Sequence, residues 1–254
     1  MTGAIAALFR HPIKGFTPEK LERAQLAAGQ AFPGDRMFAV EDGPSGFDPE
    51  VPGFIPKQKF VVLAKTAAVA RVRTAYDDRS GTLRASAAGA PNIAARLTEP
   101  KGRDAFAAWL TGVLGEEGAG PYRVIDGRGH RFLDHPEGHV SIVSLASVRD
   151  LAARLGAPVD PLRFRANLYV EGWPAWAENA WTGRELRLGE ARARVFKPIT
   201  RCSAPDVDPA TAKRDLEITA ALHRFYGHLL CGVYVRVEAP GMVAPGDLAE
   251  LRPL

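Results

Sequence analysis

Frequent glycine and proline residues divide this chain into short apolar segments, and this spacing limits the folds open to it. The sequence has 25 glycines and 20 prolines among 254 residues. Apolar runs of about four to eight residues between turn-forming residues are typical of β-strands, because helices need longer uninterrupted stretches. In the first third of the chain, strands are predicted at residues 4–9, 21–26, 37–40, 60–63, 69–75 and 82–85.

The rest of the chain combines a few helices with a second group of strands. Apolar residues recur at helical spacing in residues 103–114, and Ser144 is a candidate N-cap for a helix over residues 145–155 that Gly156 ends. A third helix fits between residues 215 and 225, and the later strands are predicted at residues 168–171, 185–188, 191–196 and 232–237. This pattern favours an α+β, β-rich fold that is barrel-like, with helices packed outside.

Two glycine-rich stretches, residues 115–120 and 127–129, indicate where two units meet. No internal repeat or low-complexity linker marks another boundary. We therefore predict two β-rich units, an N-terminal one over residues 1–125 and a C-terminal one over residues 126–254.

Composition argues against several classes of protein. The longest apolar runs, such as residues 60–64, are far short of the roughly 20 residues that cross a bilayer. The N-terminal residues lack the regions of a secretory signal, so a cytoplasmic location is expected. The net charge of +4 comes from 33 basic residues interspersed with 29 acidic ones. Without a basic stripe and interleaved aromatics, we expect neither nucleic acid nor a membrane as a partner.

The two cysteines, Cys202 and Cys231, differ in their surroundings. Cys202 follows Arg201 in a loop and lies near Lys197, and neighbouring positive charges favour the thiolate that ligates soft metals or attacks electrophiles. An inert small side chain is the alternative interpretation. Cys231 lies among apolar neighbours, which predicts core packing. Two thiols cannot hold an ordinary iron–sulfur cluster, so any electron donor must be a separate partner.

Other polar and aromatic residues suggest further kinds of site. Basic residues at Lys14, Arg36, Arg165 and Arg201 occur where the chain turns, and they would form an anion site if they converge, or solvated surface charges if they do not. A metal cluster could form from His130, Asp134, His135 and His139, although Pro136 and Gly138 make a shared helix face unfavourable. Cys202 could also act in a Cys–His hydrolase, with His223 or His228 as the base. Three tryptophans could line a flat ligand or pack in the core: Trp173, Trp176 and Trp181. The loop over residues 42–59 is a further place where a site could lie.

Several short motifs, taken in order, resemble the MOSC family, named for the C-terminal domain of molybdenum cofactor sulfurases, together with its N-terminal β-barrel companion. The resemblance covers nearly the whole chain. The motifs are His11-Pro-Ile-Lys-Gly, Pro33-Gly-Asp-Arg-Met-Phe, His139-Val-Ser-Ile-Val-Ser-Leu-Ala-Ser, Arg163-Phe-Arg-Ala-Asn-Leu, Lys197-Pro-Ile-Thr-Arg-Cys with Val207-Asp-Pro, and Phe225-Tyr-Gly with Gly232-Val-Tyr, followed by Pro240-Gly and Gly246-Asp.

The resemblance implies a site for a molybdenum cofactor (molybdopterin). Cys202 would be the metal ligand and the catalytic residue, and Ser144 would open a helix whose N-terminus faces the pterin or its phosphate. The other implied cofactor-binding residues are Lys14, Arg36, Arg165, Asn167, Thr200 and Arg201. Two positions depart from the family pattern: Gly15 replaces a common serine, which removes one hydroxyl donor, and Ala166 replaces a common proline.

Two functions are consistent with the resemblance. The first is a molybdenum-dependent oxidoreductase that reduces N-hydroxylated or related N–O small-molecule substrates, with electrons from a separate flavin and iron–sulfur protein. The second is a carrier that holds the cofactor, or a persulfide, on Cys202 and passes it to another enzyme.

Overall fold

The computed structural model describes residues 1–253. Within them the chain forms fifteen strands and three α-helices. The first eight strands are β1 (Thr2–Arg10), β2 (Glu19–Leu21), β3 (Ala24–Leu26), β4 (Phe38–Glu41), β5 (Arg73–Asp77), β6 (Thr82–Ser86), β7 (Ile93–Arg96) and β8 (Arg123–Asp126). The others are β9 (Val140–Ser144), β10 (Leu168–Glu171), β11 (Glu185–Leu188), β12 (Ala191–Thr200), β13 (Leu230–Ala239), β14 (Gly241–Val243) and β15 (Leu248–Leu251). The helices are α1 (Pro100–Leu114), α2 (Leu145–Leu155) and α3 (Ile218–Tyr226).

Seven of these strands close into a barrel in the order β10, β9, β13, β12, β11, β15 and β1, and β1 pairs back onto β10. Strands β9 and β10 run parallel, and the other barrel neighbours run antiparallel. Alternate side chains of each strand point inward, so that Ile142, Leu168 and Val233 lie in the barrel core. The β-rich, barrel-like α+β fold expected from the sequence is confirmed.

Helices α2 and α3 pack on the outside of the barrel. Their apolar faces cover the outward-facing side chains of the barrel strands, such as Val143, Tyr169 and Cys231. Helix α2 has the bounds predicted from the sequence, and Gly156 ends it in the left-handed conformation, with φ of 66°.

A second hydrophobic core lies beside the barrel. It is formed by the β4–β8 pair, the three-stranded sheet β5–β6–β7 and helix α1, which buries Phe106, Leu110 and Leu114. Its members come from residues 13–124, with the addition of Val207 from the C-terminal half. This core therefore receives a side chain from the loop that follows β12.

The structure differs from the strand predictions in three segments. Residues 21–26 are not one strand, because they are divided between β2, which pairs with β1, and β3, which pairs with β14. Two further segments differ in the type of backbone structure. Residues 60–63 are not a strand, although all four side chains are buried and the Val61 amide donates to the carbonyl of Val40 at 2.7 Å. Residues 69–75 begin as a 3-10 helix (Ala67–Arg71) and become extended only in β5. In both cases apolar side chains reached the core without a full strand ladder.

Residues from both sides of the predicted boundary between 125 and 126 contribute to the barrel. Strand β1, near the N-terminus, pairs with β10 and β15 in the barrel, and Ile5 and Leu8 lie in the barrel core. The division into residues 1–125 and 126–254 therefore stays a prediction about sequence units. Among residues 1–253, no helix has both the length and the apolar character needed to cross a bilayer.

Candidate functional site

A cavity of about 230 Å³ lies where β12, the Arg163–Arg165 segment and the two loops that precede β9 and α3 meet. Most of its charged lining is cationic. The basic residues are Arg36, Lys57, Arg163, Arg165, Lys197 and Arg201, and the carboxylate among the lining residues is Asp134. The remaining lining residues are His135, Ser141, Phe164, Ile199, Thr200, Cys202, Ala204, Pro205 and Tyr234. Such a surplus of positive charge suits an anionic ligand.

Cys202 follows the end of β12 and is a free, half-buried thiol. It lines both the main cavity and an adjoining chamber of about 50 Å³. Its neighbour Arg201 is held rigidly, because its guanidinium donates to the carbonyls of Phe164 (2.7 Å) and Cys231 (2.8 Å from Nε) and lies over the Phe164 ring. The backbone on the N-terminal side of the thiol is therefore fixed to the barrel.

Arg36 and Arg165 reach the cavity from segments 129 residues apart. Both have left-handed backbone conformations, with φ of 49° and 52°, which non-glycine residues rarely adopt. Nη1 of Arg165 donates to the carbonyl of Phe16 at 2.7 Å, but its buried Nη2 has no partner within residues 1–253. Burial, reinforced by the charge of Arg36, lowers the pKa of Arg165 to about 10. An anion would satisfy this nitrogen and stabilise the charge.

A buried pair, His11 and Asp35, supports Arg36 from behind. The backbone amide of His11 donates to Oδ1 of Asp35 at 2.6 Å, and the other oxygen of Asp35 accepts from Arg36. Burial opposes ionisation of Asp35, but Arg36 and His11 lower its pKa below the usual value. Burial and the charge of Arg165 lower the pKa of His11 to about 3, so its ring is neutral at neutral pH.

Lys14 lines the smaller chamber, and its ammonium group has three hydrogen-bond acceptors within the protein. It donates to the carbonyls of Phe132 (2.9 Å) and Leu133 (3.3 Å) and to Oδ1 of Asp134 (2.5 Å). Burial opposes the charge of Asp134, yet Lys14 and Arg36 lower its pKa, so Asp134 is ionised at neutral pH. Lys14 thus holds the segment before β9 and the carboxylate that faces the cavity.

The other predicted cofactor-binding residues fall into two groups. Thr200 lines the main cavity together with Arg36, Arg165, Arg201 and Cys202. Asn167 lies at neither chamber: its Oδ1 accepts from the amide (3.0 Å) and hydroxyl (2.8 Å) of Ser141, and its Nδ2 donates to the carbonyl of Phe9. Asn167 therefore links β1 and β9 to the start of β10. Its hydrogen-bond partner Ser141 does line the cavity.

Ser144 also lies away from both chambers. It precedes α2, but its buried hydroxyl makes no capping hydrogen bond. The carboxylate of Glu178, which is fully buried, accepts instead from the hydroxyl of Ser147 in the first turn of α2, at 3.0 Å. Burial raises the pKa of Glu178. An internal carboxyl group therefore lies where the sequence suggested a ligand phosphate.

Sequence reasoning missed several residues of the cavity. Lys57 comes from the proline-rich loop over residues 42–59, whose composition was the available signal. Arg163 and Lys197 lie inside recognised motifs, and Asp134 and His135 belong to the cluster considered for a metal. Tyr234 ends the Gly232-Val-Tyr motif but was not assigned to the site, and burial, followed by the charge of Asp134, raises its pKa to about 12.

The alternative sites considered for this sequence do not assemble. No group of at least three His, Cys, Asp or Glu side chains in residues 1–253 is arranged to hold a metal ion. His223 and His228 do not line the chambers that contain Cys202. Trp173 and Trp181 pack edge to face in the barrel core, and Trp176 contacts Tyr226. Cys231 is fully buried, and burial raises the pKa of its thiol to about 12.

The cavity residues fit a ligand that carries a phosphate and a thiol-seeking metal. The unpartnered nitrogen of Arg165 can donate to the anion, and the ammonium groups of Lys57 and Lys197 line the same cavity. The thiol of Cys202 opens into the same space, and soft thiolates ligate transition metals well.

The fold and the cavity define a β-barrel protein with one accessible thiol in a cationic cavity. Residues 129–250 match the family model of the MOSC domain, and residues 2–117 match that of the MOSC N-terminal beta barrel domain. The chain belongs to the MOSC family and also contains its N-terminal domain.

Individual relatives are distant. The chain is 30% identical over 181 residues to the mitochondrial amidoxime-reducing component 1 of Homo sapiens, an alignment that covers 59% of this chain and 52% of the relative. It is 28% identical over 177 residues to a molybdenum cofactor sulfurase of Oryza sativa subsp. japonica, covering 64% of this chain and 20% of that protein. The chain thus spans about half the length of the human relative. The crystal structure of the YUAD protein from Bacillus subtilis aligns with a TM-score of 0.47 and 17% identity, covering 99% of this chain and 96% of that one.

Proposed function

We propose that this protein binds a molybdenum cofactor through the thiolate of Cys202 and reduces N-hydroxylated or related N–O substrates. The observation that carries the proposal is the position of the Cys202 thiol in a cavity lined by six basic side chains and the carboxylate of Asp134. Relatives named for amidoxime reduction and for molybdenum cofactor sulfuration support the choice of ligand.

The proposed roles follow from the contacts of each residue. Arg165, Lys57 and Lys197 would bind the phosphate, because all three line the cavity and the buried Nη2 of Arg165 has no internal partner. Arg36 would contribute charge while Asp35 and His11 hold it in place. Arg201 would fix the thiol-bearing backbone, and Thr200 would offer a hydroxyl at the exposed rim.

When bound, the cofactor would supply the redox chemistry, and the chain would supply binding, orientation and electrostatics. Reduction of an N–OH group to N–H takes up two electrons and two protons and releases water. The two cysteines in the sequence cannot hold an ordinary iron–sulfur cluster, and we propose a separate flavin and iron–sulfur protein as the electron donor.

Turnover tests the proposed reaction. Protein made in a host that synthesises the cofactor should convert an aromatic amidoxime to the amidine when an artificial low-potential reductant is supplied. The variant Cys202→Ser should be inactive. Molybdenum-loaded protein that fails to reduce amidoximes, N-hydroxyguanidines and N-oxides under these conditions would overturn the reductase proposal.

A second candidate is a carrier that holds a persulfide or the cofactor on Cys202. It is favoured by the accessibility of this free thiol and by the similarity to sulfurases. Intact-mass spectrometry separates the two functions. A labile mass increase of one sulfur atom on Cys202, without molybdenum and without amidoxime reduction, would favour the carrier.

The proposal also includes two expectations that do not concern the reaction. The first is the boundary between units near residue 125, and the second is a cytoplasmic location. Limited proteolysis would test the boundary, since cleavage should concentrate at residues 115–120, where glycines are frequent and which precede the paired strand β8.

A further inference from the structure

The loop that follows Cys202, residues 203–215, belongs to two parts of the molecule at once. Its chain continues from barrel strand β12 into helix α3. Yet Val207, at 1% exposure, lies in the second core among side chains that otherwise come from residues 13–124. Ala204 and Ala212 pack against the same core. The loop is therefore anchored outside the barrel by its apolar side chains.

Hydrogen bonds from two arginines reinforce this anchor. Nη2 of Arg214 donates to the carbonyls of Leu63 (3.0 Å) and Ala64 (2.8 Å), and its Nη1 donates to the carbonyl of Ser203 at 3.1 Å. From the other side, Arg73 in β5 donates to the carbonyls of Pro209 (3.2 Å) and Ala210 (3.3 Å). The residue directly after Cys202 is thereby connected to residues 63–64 through one side chain.

Arg163 fixes the same loop from the barrel side. Its side chain, 2% exposed, donates to the carbonyls of Pro205 (3.2 Å) and Asp206 (3.3 Å) and pairs with Asp208 and Asp215. Together with Arg201, it holds the Cys202 segment to the barrel, while Val207 and Arg214 hold it to the second core. The Cys202 segment is thus held by both the barrel and the second core.

We propose that the second core sets the position of the Cys202 thiol, with Val207, Arg214 and Arg73 as positioning residues. Three of the backbone carbonyls that these arginines bind lie within eight residues of the thiol, and the buried valine lies five residues from it. Loosening this anchor should free the thiol while the barrel stays folded. The inference concerns the thiol itself and holds whichever ligand Cys202 binds.

The test uses a nitroxide attached to Cys202 in the full-length protein. Cys231 is fully buried, so the native protein offers one accessible thiol. Two variants loosen the anchor by different means: Val207→Ala, and the double variant Arg73→Gln with Arg214→Gln, which alters exposed side chains and should fold. Electron paramagnetic resonance reports the mobility of the label, and the rate of labelling reports access to the thiol.

Val243→Ala is the matched control, because Val243 is equally buried but lies in the barrel core beside the start of β12, at the opposite end of that strand from Cys202. We expect an immobilised spectrum in the wild type, in Val243→Ala and in the conservative variant Val207→Ile. Both anchor variants should give a mobile spectrum and label about tenfold faster, a factor that corresponds to about 1.4 kcal/mol.

Two results would overturn the proposal. One is an unchanged spectrum in the double arginine variant. The other is equal mobility in Val207→Ala and Val243→Ala, because a general loss of stability would then explain the effect. If Val207→Ala does not fold, the double arginine variant decides alone.

Discussion

At the scale of single residues, Arg165 combines a cost to stability with its proposed role in binding. Burial lowers its pKa to about 10, which means that its charged form is less stable in the folded protein than in water. Its left-handed backbone and its unpartnered Nη2 are further costs. Such costs concentrate at sites that bind ligands, because the ligand completes the missing interactions.

We expect Arg165→Gln to weaken phosphate binding without weakening the fold. The affinity for inorganic phosphate should fall about tenfold or more, since hydrogen bonds to charged groups contribute about 1.5–3 kcal/mol. The free energy of unfolding should stay within about 1 kcal/mol of the wild type or rise, because the penalty for a buried charge is removed. Calorimetric titration and urea unfolding measure the two quantities, with the exposed Arg84→Gln as control. A variant that loses stability but keeps its phosphate affinity would refute this role.

Gly15 replaces a serine common in the family, and the structure gives a steric reason. Its φ is +88°, and a Cβ atom would lie 2.6 Å from the carbonyl oxygen of Val61. A serine here would need the backbone of the 60–63 segment to move. The missing hydroxyl is therefore a consequence of how closely these two segments approach.

Gly15→Ser should lower the free energy of unfolding by more than the about 1–3 kcal/mol that a left-handed backbone alone costs. Gly29→Ser is the control, because Gly29 has a similar φ of +67° but no atom within 4 Å of its Cβ position. Urea unfolding of both variants separates the clash from backbone strain. Equal losses of stability would show that the contact with Val61 is unimportant.

At the scale of elements, the turn after β1 links the acid stability of the fold to the site. His11 and Asp35 join this turn to the segment that carries Arg36. The pKa of His11 falls from 6.5 to about 3 through burial and the charge of Arg165, with a smaller effect from Arg36. Between these two values the unfolded chain binds a proton that the folded chain excludes, so the folded state loses stability as pH falls from 6.5 towards 3.

We expect this histidine to contribute a slope of up to about 1.4 kcal/mol per pH unit across that window. Asp35, whose pKa is also lowered, acts in the same direction at lower pH, because its stabilising charge is lost on protonation. His11→Gln should flatten the pH dependence between 6 and about 4. Urea unfolding at several pH values checks this. An identical profile in the variant would mean that His11 does not control acid stability.

Sequence patterns predicted elements well where one local rule decides them. Helix α2 is an example, because its periodic apolar residues and Gly156 set both ends, and strands β10 and β11 have the expected bounds. Residues 60–63 were misassigned because apolar side chains are buried in strands and loops alike. Local sequence does not show which backbone partner such a segment will find.

At the scale of the whole molecule, the cavity depends on convergence that spacing along the chain cannot reveal. Cys202, Arg36 and Arg165 were identified from motifs and turn positions, and the fold brings all three to one cavity. Ser144 and Asn167 also belong to recognised motifs, but they lie outside the cavity, at the start of α2 and between β1, β9 and β10. The side-chain oxygen of Asn167 accepts from Ser141, and the carboxylate of Glu178 accepts from Ser147 at the start of α2, while the hydroxyl of Ser144 is buried without a partner.

The account depends most on the claim that the thiol of Cys202 binds molybdenum within this cationic cavity. The direct measurement is the molybdenum and pterin content per folded chain for the wild type, Cys202→Ser and Cys231→Ser, all made in a cofactor-competent host. We predict near-equimolar content in the wild type and in Cys231→Ser, although the latter should be less stable by roughly 1–3 kcal/mol if its buried hydroxyl is unpaired. Cys202→Ser should keep the wild-type circular dichroism spectrum and carry almost no molybdenum. Equal molybdenum in Cys202→Ser and the wild type, or none in the wild type from a host that loads other molybdenum enzymes, would contradict the account.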